Sequence, residues 1–302
     1  MKKIALLILA AVMALVCFAL AACAPDVELV ANDAEDILHE DFGIAVKKGD
    51  TEMLAAVNKV VEEWIENGDM DRYMDYYTEL GKEGANPVAP GGLKLDWDLG
   101  GNSEELHLYT ETGFAPYEFI SSKGYPLSNE ISVAGLDIAI ACEIAENLGC
   151  KLVIHDVTFE TVIQSLKAQS GMAIAAAGIT ITEERKGEVD FSSVYSSSTI
   201  SIICKADAQY HNLADLEGLK IGVQEGTSGD IIASAAISVD GYTYEYENDN
   251  SDIVESETIR LGGKTEVVRM KSYSALMQAL KSGKIDVIFM DKAPALLLIK
   301  NA

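Results

Sequence analysis

Histidine, cysteine and proline are scarce in this 302-residue chain, which holds four, five and six of them. The histidines stand at 39, 107, 155 and 211 without an H-x-x-x-H spacing, and no two cysteines form a C-x-x-C pair. Nothing in the spacing therefore points to a zinc site. The chain also lacks a G-x-S-x-G elbow, a P-loop and a G-x-G-x-x-G turn, the usual marks of hydrolases and nucleotide binders. Basic residues are few: 23 Lys and Arg stand against 48 Asp and Glu, a formal charge of −25. Such a surface repels phosphate backbones, so no nucleic-acid partner is expected. Past the first two dozen residues no apolar run approaches the length of a membrane span. No metal and no cofactor are expected.

What is present begins at the front. MKKIALLILAAVMALVCFALAAC joins two lysines, an apolar run and small residues ending at Cys23, the pattern of a secretory signal. Leu20-Ala21-Ala22-Cys23 resembles the lipobox of bacterial lipoproteins, whose cysteine becomes the acylated first residue. A plain signal-peptidase site or a single membrane anchor are the alternatives. Residues 1–22 are then the signal and 23–26 a tether to a lipid on Cys23, the only expected contact with a membrane. Cys142, Cys150 and Cys204 remain, an odd number that indicates no disulfide framework.

From residue 105 short β-rich runs alternate with amphipathic segments. Strands are expected at 106–109, 152–157, 172–177, 219–223, 266–270 and 285–290. Helices are expected from Asp137, as cap, to a stop at Gly149, and at 161–169, 230–236, 274–283 and 294–301. This rhythm predicts an α/β fold with mostly parallel sheets. The acidic stretch 241–264 reads as a surface loop or hairpin insertion. Glu111, Phe114, Phe159, Gly178, Thr180, Gln224 to Ser228 and Asp291 all fall just past strand ends, where open α/β sheets bind ligands, and Ala177 closes the strand before Gly178.

The runs TETGFAPYEF (110–119), VAGLDIAIACEIAENLG (133–149), AAGITITEERKGEVDFSSVY (176–195) and VQEGTSGD (223–230) together resemble the polar amino-acid family of periplasmic solute-binding proteins. The likeness spans 105–302, and AGITITEER followed by VDFS is its most specific part. It implies a two-lobed, type II periplasmic-binding-protein fold that closes on a free amino acid and serves an ABC transporter permease. Family members usually continue past the helix at 294–301 with a return to the first lobe. Here FGIAVKKGD (42–50) and the helical pattern Met53, Leu54, Val57, Val60, Val61 and Trp64 look like that missing ending, placed in front. A circular permutation is expected, with 43–80 and 105–195 as lobe 1, 27–37 and 200–302 as lobe 2. Residues 81–104 would be the linker joining the ancestral termini, with hinges at 38–42 and 195–199. The alternatives are a truncated gene behind an unrelated domain and, instead of the expected monomer, a swapped dimer.

A free amino acid offers an ammonium and a carboxylate, so its site needs one fixed charge of each sign and a dry wall. Arg185 presents a planar fork suited to a carboxylate; alone it would read as an ion pair with Glu183 or Glu184. The resemblance implies that Arg185 and Thr180 hold the α-carboxylate and Asp291 the α-ammonium. Without it, Asp291 is the cap of the helix containing Pro294. Thr182 can cap the short helix after it. Gln224, Thr227 and Ser228 carry turn and cap chemistry on their own, and ligand contacts by resemblance. Phe114 and Phe159 are either core or a sandwich for the ligand side chain. Glu111 leaves a surplus negative charge beside a zwitterion, which a cationic side chain would relieve; arginine or lysine is therefore the expected ligand, with neutral polar ligands as the alternative. No catalytic residue is expected. A dehydratase on the same fold would need a further placed acid or base, and a sensor module would need a receptor attached.

Overall fold

The computed structural model describes residues 27–33, 39–100, 103–128, 130–208, 210, 213–247 and 254–301. The signal, Cys23, the tether, Ala34 to Leu38 and His211 lie outside them. The front segment holds β1 (Leu29–Asp33), β2 (His39–Phe42), β3 (Ala45–Lys47), α1 (Thr51–Glu66) and α2 (Asp69–Leu80). After 81–104 come β4 (Glu105–Thr110), β5 (Gly113–Phe114), β6 (Glu118–Pro126), β7 (Ser132–Ala134), α3 (Leu136–Leu148) and β8 (Lys151–Asp156). Next are α4 (Val162–Ala168), β9 (Met172–Ala175), α5 (Glu183–Glu188), β10 (Val189–Phe191) and the long β11 (Ser196–Lys205). The chain ends with β12 (Lys220–Gln224), α6 (Ser228–Ala236), β13 (Tyr242–Glu247), β14 (Val254–Ile259), β15 (Glu266–Met270), α7 (Tyr273–Lys281), β16 (Val287–Asp291) and α8 (Lys292–Lys300).

Two sheets organise these elements. One runs β10-β3-β9-β4-β8 and the other β1-β11-β16-β12-β15. In the first, β4 is parallel to both β8 and β9; in the second, β12 is parallel to both β15 and β16. The expectation of mostly parallel pairing holds only in those interiors. β3 is antiparallel to β9 and β10, and β11 is antiparallel to β1 and β16, because these strands enter their sheets from the direction of the other sheet. β2 and the first half of β11 pair with each other between the two bodies, Phe42 with Ser196 and His39 with Thr199.

The front segment is built into the first sheet's layer. Asp50 accepts a hydrogen bond from Met53 N at 3.1 Å and so caps α1. The 3.6-residue spacing of Met53, Val57, Val60, Val61 and Trp64 buries that stripe, and Trp64 stacks on Tyr73 of α2 at 4.2 Å. Both helices cover α3, whose buried face of Ala139, Cys142 and Ala145 is small enough for close approach. Gly149 stops α3 in the left-handed conformation. Asp137 does not cap it. Gly135 holds the cap position without a side chain, and Asp137 is instead fully buried, accepting from Gly178 N at 3.0 Å.

The described residues of 81–104 are irregular but strapped down. Lys94 pairs with Glu143 and Glu146, Trp97 Nε1 donates to Glu143 at 2.9 Å, and Tyr73 donates its hydroxyl to Lys94 O at 2.6 Å. The acidic stretch forms the β13–β14 hairpin. His107 and His155, far apart in sequence, stack on adjacent strands with ring nitrogens 2.9 Å apart. Among the described residues no helix is long and apolar enough to cross a membrane.

Candidate functional site

The C-terminal ends of β4, β8, β9, β12 and β16 converge on one cavity of about 290 Å³. Ten of the eleven residues singled out from the sequence line it: Glu111, Phe114, Phe159, Ala177, Gly178, Thr180, Gln224, Thr227, Ser228 and Asp291. Arg185 borders an adjoining pocket with Phe159 and Gly226. Its guanidinium is buried, lies 5.6 Å from the Phe159 ring centre, and donates from Nη1 to Thr180 O at 2.8 Å and from Nη2 to Gly226 O at 3.0 Å. The ion pair with Glu183 is not formed; Glu183 takes Lys186 instead. Thr182 caps α5 by accepting from Arg185 N at 3.2 Å, which fixes the arginine on the first turn. Burial pulls the guanidinium pKa down, opposed by Glu40, Glu184 and Asp291.

Gly178 stands at φ +53°, where an added Cβ would lie 2.5 Å from Phe114 Cε1. A glycine is needed there because the aromatic ring presses on the backbone. Phe114 packs on Tyr117 and Tyr273, at 5.5 and 5.9 Å between ring centres. Phe114 stacks with Tyr273 on one side of the pocket, and Phe159, which also lines it, lies under the Arg185 guanidinium.

Across the cleft Thr227 caps α6, accepting from Asp230 N at 3.3 Å, and donates its hydroxyl to Gln224 O at 2.8 Å. Cap chemistry and cavity lining coincide in this residue. The Gln224 amide donates to Lys271 O at 3.0 Å and also meets the Glu111 carboxyl from the opposite lobe. Burial lifts Glu111 to about 7, opposed by that amide and helped by Asp156 and Glu160. Lys271 bridges Glu225 at 2.6 Å and reaches across to Glu160.

Asp291 occupies the cap position of α8, yet its side chain makes no capping hydrogen bond. It is 6% exposed, and its Oδ1 has no partner among the described residues. Burial, then the neighbouring Glu40, push its carboxyl well above the ordinary range. Three residues of this region escaped the sequence reading. Glu40 comes from β2, Tyr273 from the start of α7, and Glu118 lies in the PYEF run. Glu118 is fully buried, both its oxygens lack partners among the described residues, and burial followed by Asp137 and Glu111 raises it strongly. Its position in a quoted motif was the one available signal.

Residues 106–254 match the bacterial extracellular solute-binding proteins, family 3. Over 152 residues the chain is 28% identical to the arginine-binding extracellular protein ArtP of Bacillus subtilis (strain 168), covering 50% of this chain and 56% of that protein. It is 28% identical over 184 residues to the arginine-binding periplasmic protein of Mannheimia haemolytica, covering 60% of each. The chain therefore spans between 56% and 60% of the length of these two relatives. A solved substrate-binding protein of an amino acid ABC transporter superposes with a TM-score of 0.52 at 28% identity, over 65% of this chain and 74% of that one.

Proposed function

Because the chain belongs to family 3 of the bacterial extracellular solute-binding proteins and has their two-lobed α/β fold, we propose that it captures free arginine or lysine between its lobes and presents it to an ABC permease. The observation that carries this reading is the charge of the cleft. Glu111, Glu118 and Asp291 line it, and Arg185 is the cation beside it. A zwitterion satisfies one charge of each sign, and a second cation offsets the surplus at Glu111. The relatives above are named for arginine. Arg185 turns from the Gly226 carbonyl to the ligand carboxylate, with Thr180 beside it. Asp291 takes the ammonium, and hinge closure shifts the lobes onto the ligand.

The permuted order belongs to the same proposal. It is supported by β3 sitting between β9 and β10, by β1 at the edge of the other sheet, and by the paired crossings β2 and β11. The lobes are 43–80 with 105–195, and 27–37 with 200–302, with crossings at 38–42 and 195–199, in a monomer tethered through lipid on Cys23 outside the cytoplasmic membrane.

A thermal-shift screen against the twenty amino acids tests the function. Arginine or lysine should raise the melting temperature most, since ligand at a hundredfold over its Kd adds about 2.7 kcal/mol. A largest shift with an acidic amino acid overturns the reading.

A further inference from the structure

The strand crossing between the lobes carries an acid that no cleft loop supplies. Glu40, in β2, is 4% exposed. Its Oε1 accepts from Thr180 Oγ1 at 2.9 Å, and its Oε2 is buried without a hydrogen-bond partner among the described residues. β11 sets Asp291 near it, pairing Ser198 with Glu40 and Ile200 with Asp291, and Asp291 Oδ1 likewise accepts no hydrogen bond from the described residues. Two shielded carboxyls this close cannot both be ionised unless a cation joins them. The groups that face the pair are Tyr273 from α7, Tyr242 from β13, Tyr117 beside β6 and Ser198 from β11. None of those is a cation. Arg185 is felt by both acids, but its hydrogen bonds go to Thr180 O and Gly226 O.

We propose that Glu40 is a specificity-determining ligand residue: with Asp291 it forms a two-carboxylate cradle for the α-ammonium and so selects amino acids over α-hydroxy acids bearing the same side chain. This rests on the amino-acid-binding reading above. Thr180 ties the cradle to the carboxylate subsite, since one hydroxyl borders both. An ammonium offers three N–H donors, enough to serve Glu40 Oε2 and Asp291 Oδ1 together. A hydroxyl offers one donor and no charge, and leaves the repulsion in place. Entry of the ammonium displaces the proton that the pair holds, and that proton leaves to solvent. Binding at this end therefore strengthens as pH rises.

The test is titration calorimetry on wild type, Glu40→Gln, Glu111→Gln and the double variant, in buffers of different ionisation enthalpy. The probes are L-arginine and its α-hydroxy analogue, 5-guanidino-2-hydroxypentanoate. Glu40→Gln should cut the preference for L-arginine over the analogue by roughly tenfold or more, as loss of a charged contact does. Proton release that persists in Glu111→Gln should fall in the double variant, to what burial of Asp291 alone sustains. Glu40→Asp, which keeps the charge, should retain it. An unchanged preference with unchanged proton release overturns the proposal. So does an equal loss of both probes with a lowered melting temperature, which makes Glu40 structural only. If wild type binds a different amino acid, that one and its α-hydroxy analogue replace the probes. If it binds none of the twenty, the reading beneath fails and this inference falls with it.

Discussion

The two ends of the cleft treat a buried acid in opposite ways. At one end Glu111 meets an amide from the other lobe, and burial lifts its carboxyl only to about 7. At the other end Asp291 meets a second carboxyl, and burial with Glu40 lifts it well beyond its ordinary range. A donor opposite an acid makes a group that titrates near neutrality by itself; an acid opposite an acid makes one that ionises only when a cation arrives. On the proposed reading, the Glu111 end discriminates ligand side chains gradually and with pH, and the Asp291 end acts as a sharper filter for the ammonium.

Each substitution below strains this contrast differently. Arg185→Ala should cost the most, about 2–5 kcal/mol of arginine binding, because it removes the charged partner proposed for the ligand's α-carboxylate; calorimetry reads it as near-complete loss. Glu111→Gln should cost about 1.5–3 kcal/mol. In the ligand-free protein this carboxyl is protonated below about 7, and a cationic side chain needs it ionised. Affinity for arginine should thus rise with pH through about 7, and Glu111→Gln should remove that part of the rise while leaving the part that belongs to the Asp291 end. A rise through about 7 that is unchanged in the variant would count against Glu111. Gly178→Ala, forced to φ +53° against the Phe114 ring, should lose about 1–3 kcal/mol of stability, seen as a lowered melting temperature, and weaken both ends together. Lys271→Ala removes an exposed bridge to Glu160 and Glu225 and should change affinity by only about 0.2–1 kcal/mol.

Loops that follow strand ends were legible because period and turn residues mark them, which is why ten of the eleven residues meet in one cavity. Helix α1 was legible from the spacing of its apolar stripe. Glu40 was not, because a strand of four residues, HEDF, has no readable face, and its partner Asp291 is 251 positions away. Asp137 misled because an acid at a helix start looks like a cap, whereas here the cap is Gly135 and the acid turns inward to Gly178. The stacking of His107 on His155 depends on the parallel register of β4 and β8, which no local spacing reveals. The stretch 81–104 looked like a loose connector because Gly and Pro dominate its pattern. Its anchors, Lys94 and Trp97, reach residues more than forty positions away.

The antiparallel pairing of Lys47 with Val189 also sets a clock for synthesis. At a ribosome speed of about 5–20 residues per second, β3 emerges on the order of ten seconds before β10 exists to receive it. For much of that interval, until residues 136–148 emerge, the Val57–Trp64 stripe has no α3 to cover it. Assembly is governed by a contact of high sequence separation, a slow and aggregation-exposed route. Expression yield should accordingly respond more to holdase chaperones than equilibrium stability alone would suggest.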